Sequence, residues 1–182
     1  MPEYKQLKEW KVEEKEMTTS LQALTATTGN RKDTWNTPKD FVDDLVKFFD
    51  VIDLDPCSDD IDNPNIPALN YFTKESNGLS HDWYGKVFMN HPYSESKLWV
   101  HYAVWQYERG NADEIVMLIK LDVSTKWWKS VAKYPWVAIN KRMKFNTQKN
   151  AAPFQSAIVY LGNNLDKFEK IFGKYGYLYK IK

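Results

Sequence analysis

Short apolar runs alternate with helix-like segments over most of this chain, and no other feature constrains the fold as strongly. Apolar runs of strand length predict β-strands at 51–54, 86–89, 114–121, 136–140, 155–161 and 177–181. Helical patterns lie between most of these runs, at 37–50, 94–109, 125–133 and 165–172. Alternating strands and helices predict a three-layer α/β domain, somewhat minimal in size, with a mainly parallel sheet.

Local signals mark the helix starts. Thr37 is a favoured N-cap residue, and Pro38 suits the first helical turn, so we expect Thr37 to cap the first helix. Ser94 is expected to cap the second helix in the same way. Residues 58–70 are rich in Pro, Asn and Asp and have no regular apolar period, which predicts a loop.

The composition indicates how the chain is divided and in which compartment it works. Residues 1–32 carry few regularly spaced apolar residues and predict a flexible or helical N-terminal arm, which leaves 33–182 as one domain. The sequence has no apolar run of about 18 residues and no signal-peptide pattern, so a membrane location is not expected. The single cysteine, Cys57, cannot form an intramolecular disulfide. These features favour a reducing, cytoplasmic setting.

Positive charge is concentrated in the last third of the chain. Residues 126–182 contain 12 Lys and Arg against two acids, a balance of +10, while the first 125 residues hold 13 bases against 22 acids, a balance of −9. Such a basic segment favours a polyanionic partner, because phosphate contacts release counterions. Lys141, Arg142 and Lys144 follow a predicted strand and are candidate phosphate contacts. The alternative is a solvated loop.

Polar residues stand at the ends of two predicted strands. Asp55-Pro56 ends the first strand, and Asn90 follows the second. In open α/β sheets, ligands bind beyond the carboxyl ends of the strands. We therefore expect Asp55 and Asn90 to belong to one site.

The tetrapeptide Asn90-His91-Pro92-Tyr93 suits chemistry on a planar amino group. The lone pair of such a nitrogen is delocalised into its ring, so two acceptors on the N–H groups would turn the lone pair toward a methyl donor. The Asn90 side-chain oxygen and the His91 carbonyl could supply these acceptors, and Pro92 restricts the backbone of His91. Tyr93 could stack on a base that has left its duplex.

The tetrapeptide resembles motif IV of the amino-methyltransferases, and several other fragments resemble the phage-type, Dam-like family of DNA N6-adenine methyltransferases. That family has a Trp-x-Thr-Pro start, a strand ending in Leu-Asp-Pro-Cys, a Tyr-Phe-Thr block, then Gly-Leu and Trp, and a later Arg-x-x-Phe. Matching residues stand here in the same order: Trp35–Pro38, Leu54–Cys57, Tyr71–Thr73, Gly78-Leu79, Trp83, Trp99 and Arg142–Phe145. The family has Pro where this chain has His91.

The resemblance implies a Rossmann-like fold, S-adenosylmethionine as cofactor, and methylation of adenine N6 in duplex DNA after base flipping. It implies a phage or prophage protein that acts in a bacterial host cell. It also places the cofactor, through its first two motifs, at Trp35, Thr37, Pro38, Asp55 and Pro56. The Gly-x-Gly loop of many methyltransferases is absent after Asp55, which indicates a variant cofactor loop.

Other functions remain open at this point. His91 could mark a catalytically silent relative that binds only DNA or cofactor. The acceptor could also be cytosine N4, RNA adenine or a protein glutamine, because each presents a planar amino group. No metal is expected, since three histidines and one cysteine show no zinc-ligand spacing. The sequence does not indicate an oligomeric state.

Overall fold

The computed structural model describes residues 35–60, 62, 64–146 and 150–180. Within this part of the chain, seven strands form one sheet in the order β2-β1-β3-β4-β6-β5-β7. Their bounds are β1 Ile52–Asp55, β2 Ala68–Tyr71, β3 Gly85–Met89, β4 Ala112–Lys120, β5 Trp136–Ile139, β6 Ser156–Leu161 and β7 Gly176–Tyr179. The predicted arm at 1–32 lies outside the described residues.

Five of the seven strands run in one direction. β1 pairs in parallel with β2 and β3, and β3 pairs in parallel with β4. β6 is antiparallel to both β4 and β5, so β5 keeps the direction of the first four strands, while β7 is antiparallel to β5. The prediction of a mainly parallel α/β sheet is confirmed. The carboxyl ends of β1, β3 and β5 consequently lie along the same edge.

Helices cover both faces of the sheet. The helices are α1 Lys39–Phe49, α2 Ser96–Glu108, α3 Trp128–Val131 and α4 Leu165–Phe172. α1 and α4 pack against each other over one face, and α2 packs on β4 and on α3. Because alternate residues of β4 point to opposite faces and its centre is fully buried, both faces of that strand are covered by apolar side chains.

The core between α1, α4 and the sheet is largely aromatic. Phe41, Phe48, Phe168 and Phe172 are buried, and the ring of Phe48 lies 5.4 Å from that of Phe172. The apolar residues of α1 follow the helical period and therefore lie on one face of the helix. That face is buried against the sheet. This packing fixes the start of α1, and with it the preceding residues, over the carboxyl edge of the sheet.

β2 was not predicted. Residues 58–70 were expected to form a loop, but Ala68–Tyr71 pairs with β1 through Ile52–Ala68 and Leu54–Asn70. As an edge strand, β2 buries only Ala68 fully. Its sequence therefore lacks the apolar signature on which the prediction depended, and backbone pairing with β1 determines its structure.

The helix starts also differ from expectation. Pro38, not Thr37, occupies the N-cap position of α1, and no side chain caps that helix. α2 begins at Ser96 after a 3-10 turn at Tyr93–Glu95, so Ser94 is not its cap. α3 is a single turn, shorter than the predicted 125–133.

Among the described residues, no helix is long and apolar enough to cross a membrane.

Candidate active site

Asp55 and Asn90 line the same cleft at the carboxyl edge of the sheet. β1 and β3 are neighbours, with Leu54 opposite Val87, so the residues that end these strands come together. The cleft is small and opens to solvent. Its lining residues are Trp35, Asn36, Thr37, Asp55, Cys57, Ser58, Asp59, Asn65, Ile66, Phe88, Asn90 and Pro92.

The side-chain amide of Asn90 is held on its nitrogen side. Nδ2 donates to the backbone carbonyl oxygen of Trp35 at 2.6 Å and to the hydroxyl oxygen of Thr37 at 3.0 Å. A backbone carbonyl can only accept, so the nitrogen and not the oxygen must face Trp35. The Oδ1 atom of Asn90 is buried and has no hydrogen-bond partner within the described ranges. The site therefore contains an oriented, unused acceptor.

The segment 35–37, which supplies both partners of Asn90, is itself held by two other asparagines. The carbonyl oxygen of Thr37 accepts from the side-chain amides of Asn65 and Asn146, each at 3.1 Å. The backbone amide of Asn146 donates to the carbonyl oxygen of Asn36 at 3.0 Å. We call residues 35–37 the strap. It is tied to β3, to the loop after β1 and to the loop after β5.

Asp55 is a buried carboxyl group. The residue is 4% exposed, and Oδ1 accepts from the backbone amide of Cys57 at 2.9 Å. Burial raises the pKa of Asp55 to about 7, although the Cys57 hydrogen bond opposes the shift, and the nearby Asp59 adds to it. A cationic partner in the cleft would stabilise the ionised form of Asp55.

Several of the fragments that resemble the Dam-like family converge on the turn that carries Asp55. The backbone amide of Phe72 donates to the Asp55 carbonyl oxygen at 2.9 Å. The backbone amide of Ser58 donates to the Phe72 carbonyl oxygen at 2.9 Å. A Cβ atom on Gly78 would lie 2.2 Å from the Pro56 carbonyl oxygen, so only glycine fits there. Trp83 donates from Nε1 to the Gly78 carbonyl oxygen at 2.8 Å.

His91 points away from the cleft. Its side chain is 1% exposed and is absent from the cleft lining. The Ser96 hydroxyl donates to the Tyr93 carbonyl oxygen at 2.8 Å, so its oxygen accepts from Nε2–H of His91 at 2.9 Å. The imidazole also stacks on Trp99 with ring centroids 6.5 Å apart. The imidazole thus ties motif IV to α2.

Tyr93 belongs to an aromatic cluster with Trp35, Phe145 and Phe154. Its ring is nearly parallel to that of Trp35, with centroids 6.2 Å apart and planes inclined by 15°. Phe154 meets the Tyr93 ring edge-on at 5.0 Å, and Phe145 does so at 6.1 Å. The half-buried Trp35 is shared between this cluster and the cleft, so the two are adjacent.

Only some of the residues that the sequence predicts to bind the cofactor line the cleft. Trp35, Thr37 and Asp55 line the cleft, and Thr37 is buried with its hydroxyl oxygen engaged by Asn90. Pro38 begins α1, and Pro56 is buried below the turn; neither is part of the lining. Asn90 and Pro92 are in the lining, whereas His91 is not.

Lys141, Arg142 and Lys144 are exposed on the loop after β5. Met143 and Phe145 alternate with them and are buried, which directs the basic side chains outward. Since β5 runs in the direction of β1 and β3, this loop leaves the sheet at the edge that carries the cleft. Asn146, next along the chain, contacts the strap.

Sequence reasoning missed several contributors to the site. Asn65, Asn146, Ser96 and Phe154 carry no motif, because their role depends on partners far along the chain or on another element. In the sequence, Phe145 is marked only as the end of the Arg-x-x-Phe fragment. Within the described residues, no group of three or more His, Cys, Asp or Glu side chains is placed to hold a metal ion.

Most of the chain matches one family of known proteins. The model of the DNA N-6-adenine-methyltransferase (Dam) family matches residues 24–170. The chain belongs to this family. Its seven-stranded sheet with flanking helices is accordingly a Rossmann-like methyltransferase domain.

Two relatives are phage proteins named DNA N-6-adenine-methyltransferase. The protein of Haemophilus phage HP1 is 36% identical over 99 residues, which are 53% of this chain and 55% of the relative. The protein of Escherichia phage T1 is 30% identical over 113 residues, which are 58% of this chain and 45% of the relative. The chain spans about half the length of these relatives.

The burial of Asp55 predicts a pH-dependent gain in stability for Asp55→Asn. The folded pKa of about 7 exceeds the reference value of 3.8, so the folded state holds an extra proton between these pH values and its stability falls as pH rises through them. Asparagine does not titrate. Its advantage over wild type should grow by about 2 to 4 kcal/mol between pH 4.5 and pH 7.5.

Urea denaturation of both proteins across this pH range measures the effect. Asp113→Asn is the control, because its exposed side chain is solvated in the folded and unfolded states alike. A difference between Asp55→Asn and wild type that stays constant with pH would contradict the burial of an ionisable group at this position.

Proposed function

We propose that this protein transfers a methyl group from S-adenosylmethionine to N6 of adenine in DNA. The observation that carries the proposal is the buried Oδ1 atom of Asn90, which lacks a hydrogen-bond partner among the described residues and stands at the edge of the cleft. A buried acceptor normally has a partner, because leaving it unpaired costs about 1–3 kcal/mol. A substrate N–H would complete this hydrogen bond.

Asn90 and His91 would act on the amino group together. Oδ1 of Asn90 accepts one N–H, and the backbone carbonyl of His91 accepts the other. With both protons held, the nitrogen becomes more tetrahedral and its lone pair becomes available. The reaction requires no strong base. The lining of the cleft contains no histidine, because the His91 ring faces Ser96.

The cleft has the chemistry to hold the cofactor. S-adenosylmethionine supplies an activated methyl group on a sulfonium. Asp55 offers a buried carboxyl group for a ligand ammonium, and the Trp35 ring offers a surface for an adenine. Thr37 lines the cleft beside Asn90, whereas Pro38 and Pro56 lie outside the lining and would frame the site through the backbone.

The aromatic cluster next to Asn90 suits a planar base. Tyr93 is half-buried and is surrounded by the rings of Trp35, Phe145 and Phe154. An enzyme that modifies a base in duplex DNA must take that base out of the stack, and aromatic side chains then replace its neighbours. We propose that the flipped adenine stacks on Tyr93.

The basic loop would hold the DNA backbone. Lys141, Arg142 and Lys144 are exposed at the edge of the sheet that carries the cleft. Phosphate contacts on this loop would fix the duplex without reading its sequence. The phage origin of both relatives supports a phage or prophage protein acting on DNA in the cytoplasm of a bacterial host.

The orientation of the His91 side chain favours an active enzyme over a catalytically silent relative. Its imidazole fills a buried position against Ser96 and Trp99, so it does not obstruct the cleft. The reaction would use only the backbone carbonyl of His91, which proline also supplies. The names of the two phage relatives favour adenine N6 over cytosine N4, RNA adenine or protein glutamine as the acceptor.

Methylation of DNA by wild type, Asn90→Ala and His91→Pro tests the reaction. Labelled S-adenosylmethionine and unmethylated DNA are incubated with each protein, and the digested nucleosides are identified. Wild type should form N6-methyladenine, and Asn90→Ala should form none while still binding the cofactor. His91→Pro should keep the activity, because proline also supplies the backbone carbonyl.

Two results would overturn parts of this scheme. Full activity of Asn90→Ala would remove Asn90 from the reaction. If wild type methylates nothing and His91→Pro gains activity, the protein is a silent relative in which His91 blocks catalysis.

Asp55→Ala should weaken S-adenosylmethionine binding at least tenfold, or about 1.4 kcal/mol, because the ligand ammonium loses its buried counter-charge. Calorimetry at pH 8 compares it with wild type. Asp59→Ala is the matched control, since it removes an exposed carboxylate from the same cleft and should change the affinity much less. Equal affinity of Asp55→Ala and wild type would place the cofactor elsewhere.

Replacing Lys141, Arg142 and Lys144 by glutamine should reduce the salt dependence of DNA binding. Each lost phosphate contact removes about 0.9 from the slope of log affinity against log salt, so the triple variant should flatten it by about 2 to 3. Fluorescence anisotropy with one labelled duplex at several salt concentrations measures the slope. A control triple variant replaces exposed lysines of three helices, Lys39, Lys129 and Lys170. Equal slopes for the two variants would make the basic loop a solvated surface.

A further inference from the structure

We propose that Thr37 is a positioning residue that orients Asn90 through its hydroxyl group, and that it does not act by contacting the cofactor. The inference rests on the proposed function, because it concerns how Asn90 presents Oδ1 to the substrate amino group. It assigns to Thr37 a role that its position before a helix does not suggest.

The hydrogen bonds on Asn90 determine where its oxygen points. The terminal torsion of asparagine has a broad, roughly two-fold distribution, so an amide held at one point can still rotate or exchange its oxygen and nitrogen positions. Here the two protons of Nδ2 have two separate acceptors, the carbonyl of Trp35 and the hydroxyl of Thr37. Because the amide is planar, fixing both N–H directions also fixes Oδ1.

The Thr37 hydroxyl is well placed for this task. The residue is 1% exposed, and its β-branched side chain has restricted χ1 rotation, so Oγ1 is held in position before any substrate arrives. Its oxygen is not used for helix capping, since Pro38 is the N-cap of α1 and no side chain caps the helix. The observed contact of Oγ1 is with Asn90 Nδ2.

The strap makes the Thr37 hydroxyl a rigid partner. Asn65 and Asn146 donate to the Thr37 carbonyl oxygen, and the backbone of Asn146 donates to the Asn36 carbonyl oxygen. Both acceptors of the Asn90 amide therefore lie on backbone that is held at several points. Without the hydroxyl, one Nδ2 proton would lose its partner, and the amide would retain only the Trp35 contact.

The test compares Thr37→Val with Thr37→Ser. Valine has nearly the shape of threonine without the hydroxyl, and serine keeps the hydroxyl. Under saturating cofactor and DNA, Thr37→Val should lose about tenfold in the methyl-transfer rate, the effect of one hydrogen bond of about 1.4 kcal/mol, with unchanged S-adenosylmethionine affinity. Thr37→Ser should recover most of the rate.

A spectroscopic measurement does not depend on activity. In ¹⁵N-labelled protein, the side-chain amide signals of Asn90 are assigned by their loss in Asn90→Ala. They should shift and exchange faster with solvent in Thr37→Val but not in Thr37→Ser. The amide of Asn146 is an internal control, because it donates to the Thr37 carbonyl, which every variant retains. If Thr37→Val folds poorly in a thermal melt, Thr37→Ala provides the same comparison.

The outcomes separate the alternatives. An unchanged Asn90 amide signal together with an unchanged rate in Thr37→Val would overturn the positioning role. A loss of cofactor affinity with an unchanged Asn90 signal would also overturn it and make Thr37 a cofactor contact. If wild type methylates no nucleic acid, the proposed function fails, yet the amide signals still decide whether Thr37 orients Asn90.

Discussion

The hydrogen bonds between Asn90 and the strap join the two halves of the candidate site. Asn90 follows β3, whereas Trp35 and Thr37 precede α1, so the amide connects the sheet to the segment that covers its edge. The same strap receives Asn65 from the loop after β1 and Asn146 from the loop after β5. Three loops of the carboxyl edge therefore share one short piece of backbone. The cleft has its shape because these polar contacts bring the loops together over an apolar sheet.

The two polar residues at the strand ends have different electrostatic surroundings. Asp55 is buried without a cationic partner among the described contacts, and this burial raises its pKa to about 7. Asn90 is neutral, so the same region can leave its oxygen unpaired at a smaller cost. A carboxyl group and an amide oxygen in one cleft suit a ligand with a positive group and a substrate with an N–H donor. The proposed cofactor and the proposed adenine have these properties.

The His91 side chain lies on the α2 side of its motif, outside the cleft. The residue replaces a proline of the related motif, but its ring packs against Trp99 and Ser96 instead of entering the cleft. The contact with Ser96 ties the residue to α2 through a side chain, where proline would restrict the backbone directly. Tyr93 keeps its place in the aromatic cluster, since the Ser96 hydroxyl also binds the Tyr93 carbonyl oxygen. The substitution is thus accommodated on the α2 side of the motif.

The sequence by itself determined the alternation of strands and helices, the main direction of the sheet, and the position of Asp55 and Asn90 at strand ends. These features follow from local apolar periodicity, which acts over a few residues. Only the tertiary structure decided the contact of Thr37 with Asn90, 53 residues away, and that of Asn146 with Thr37 across 109 residues. It likewise decided the strand at β2 and the direction of the His91 ring. Hydrogen bonds between distant segments depend on how the whole core packs, and no local pattern in the chain encodes them.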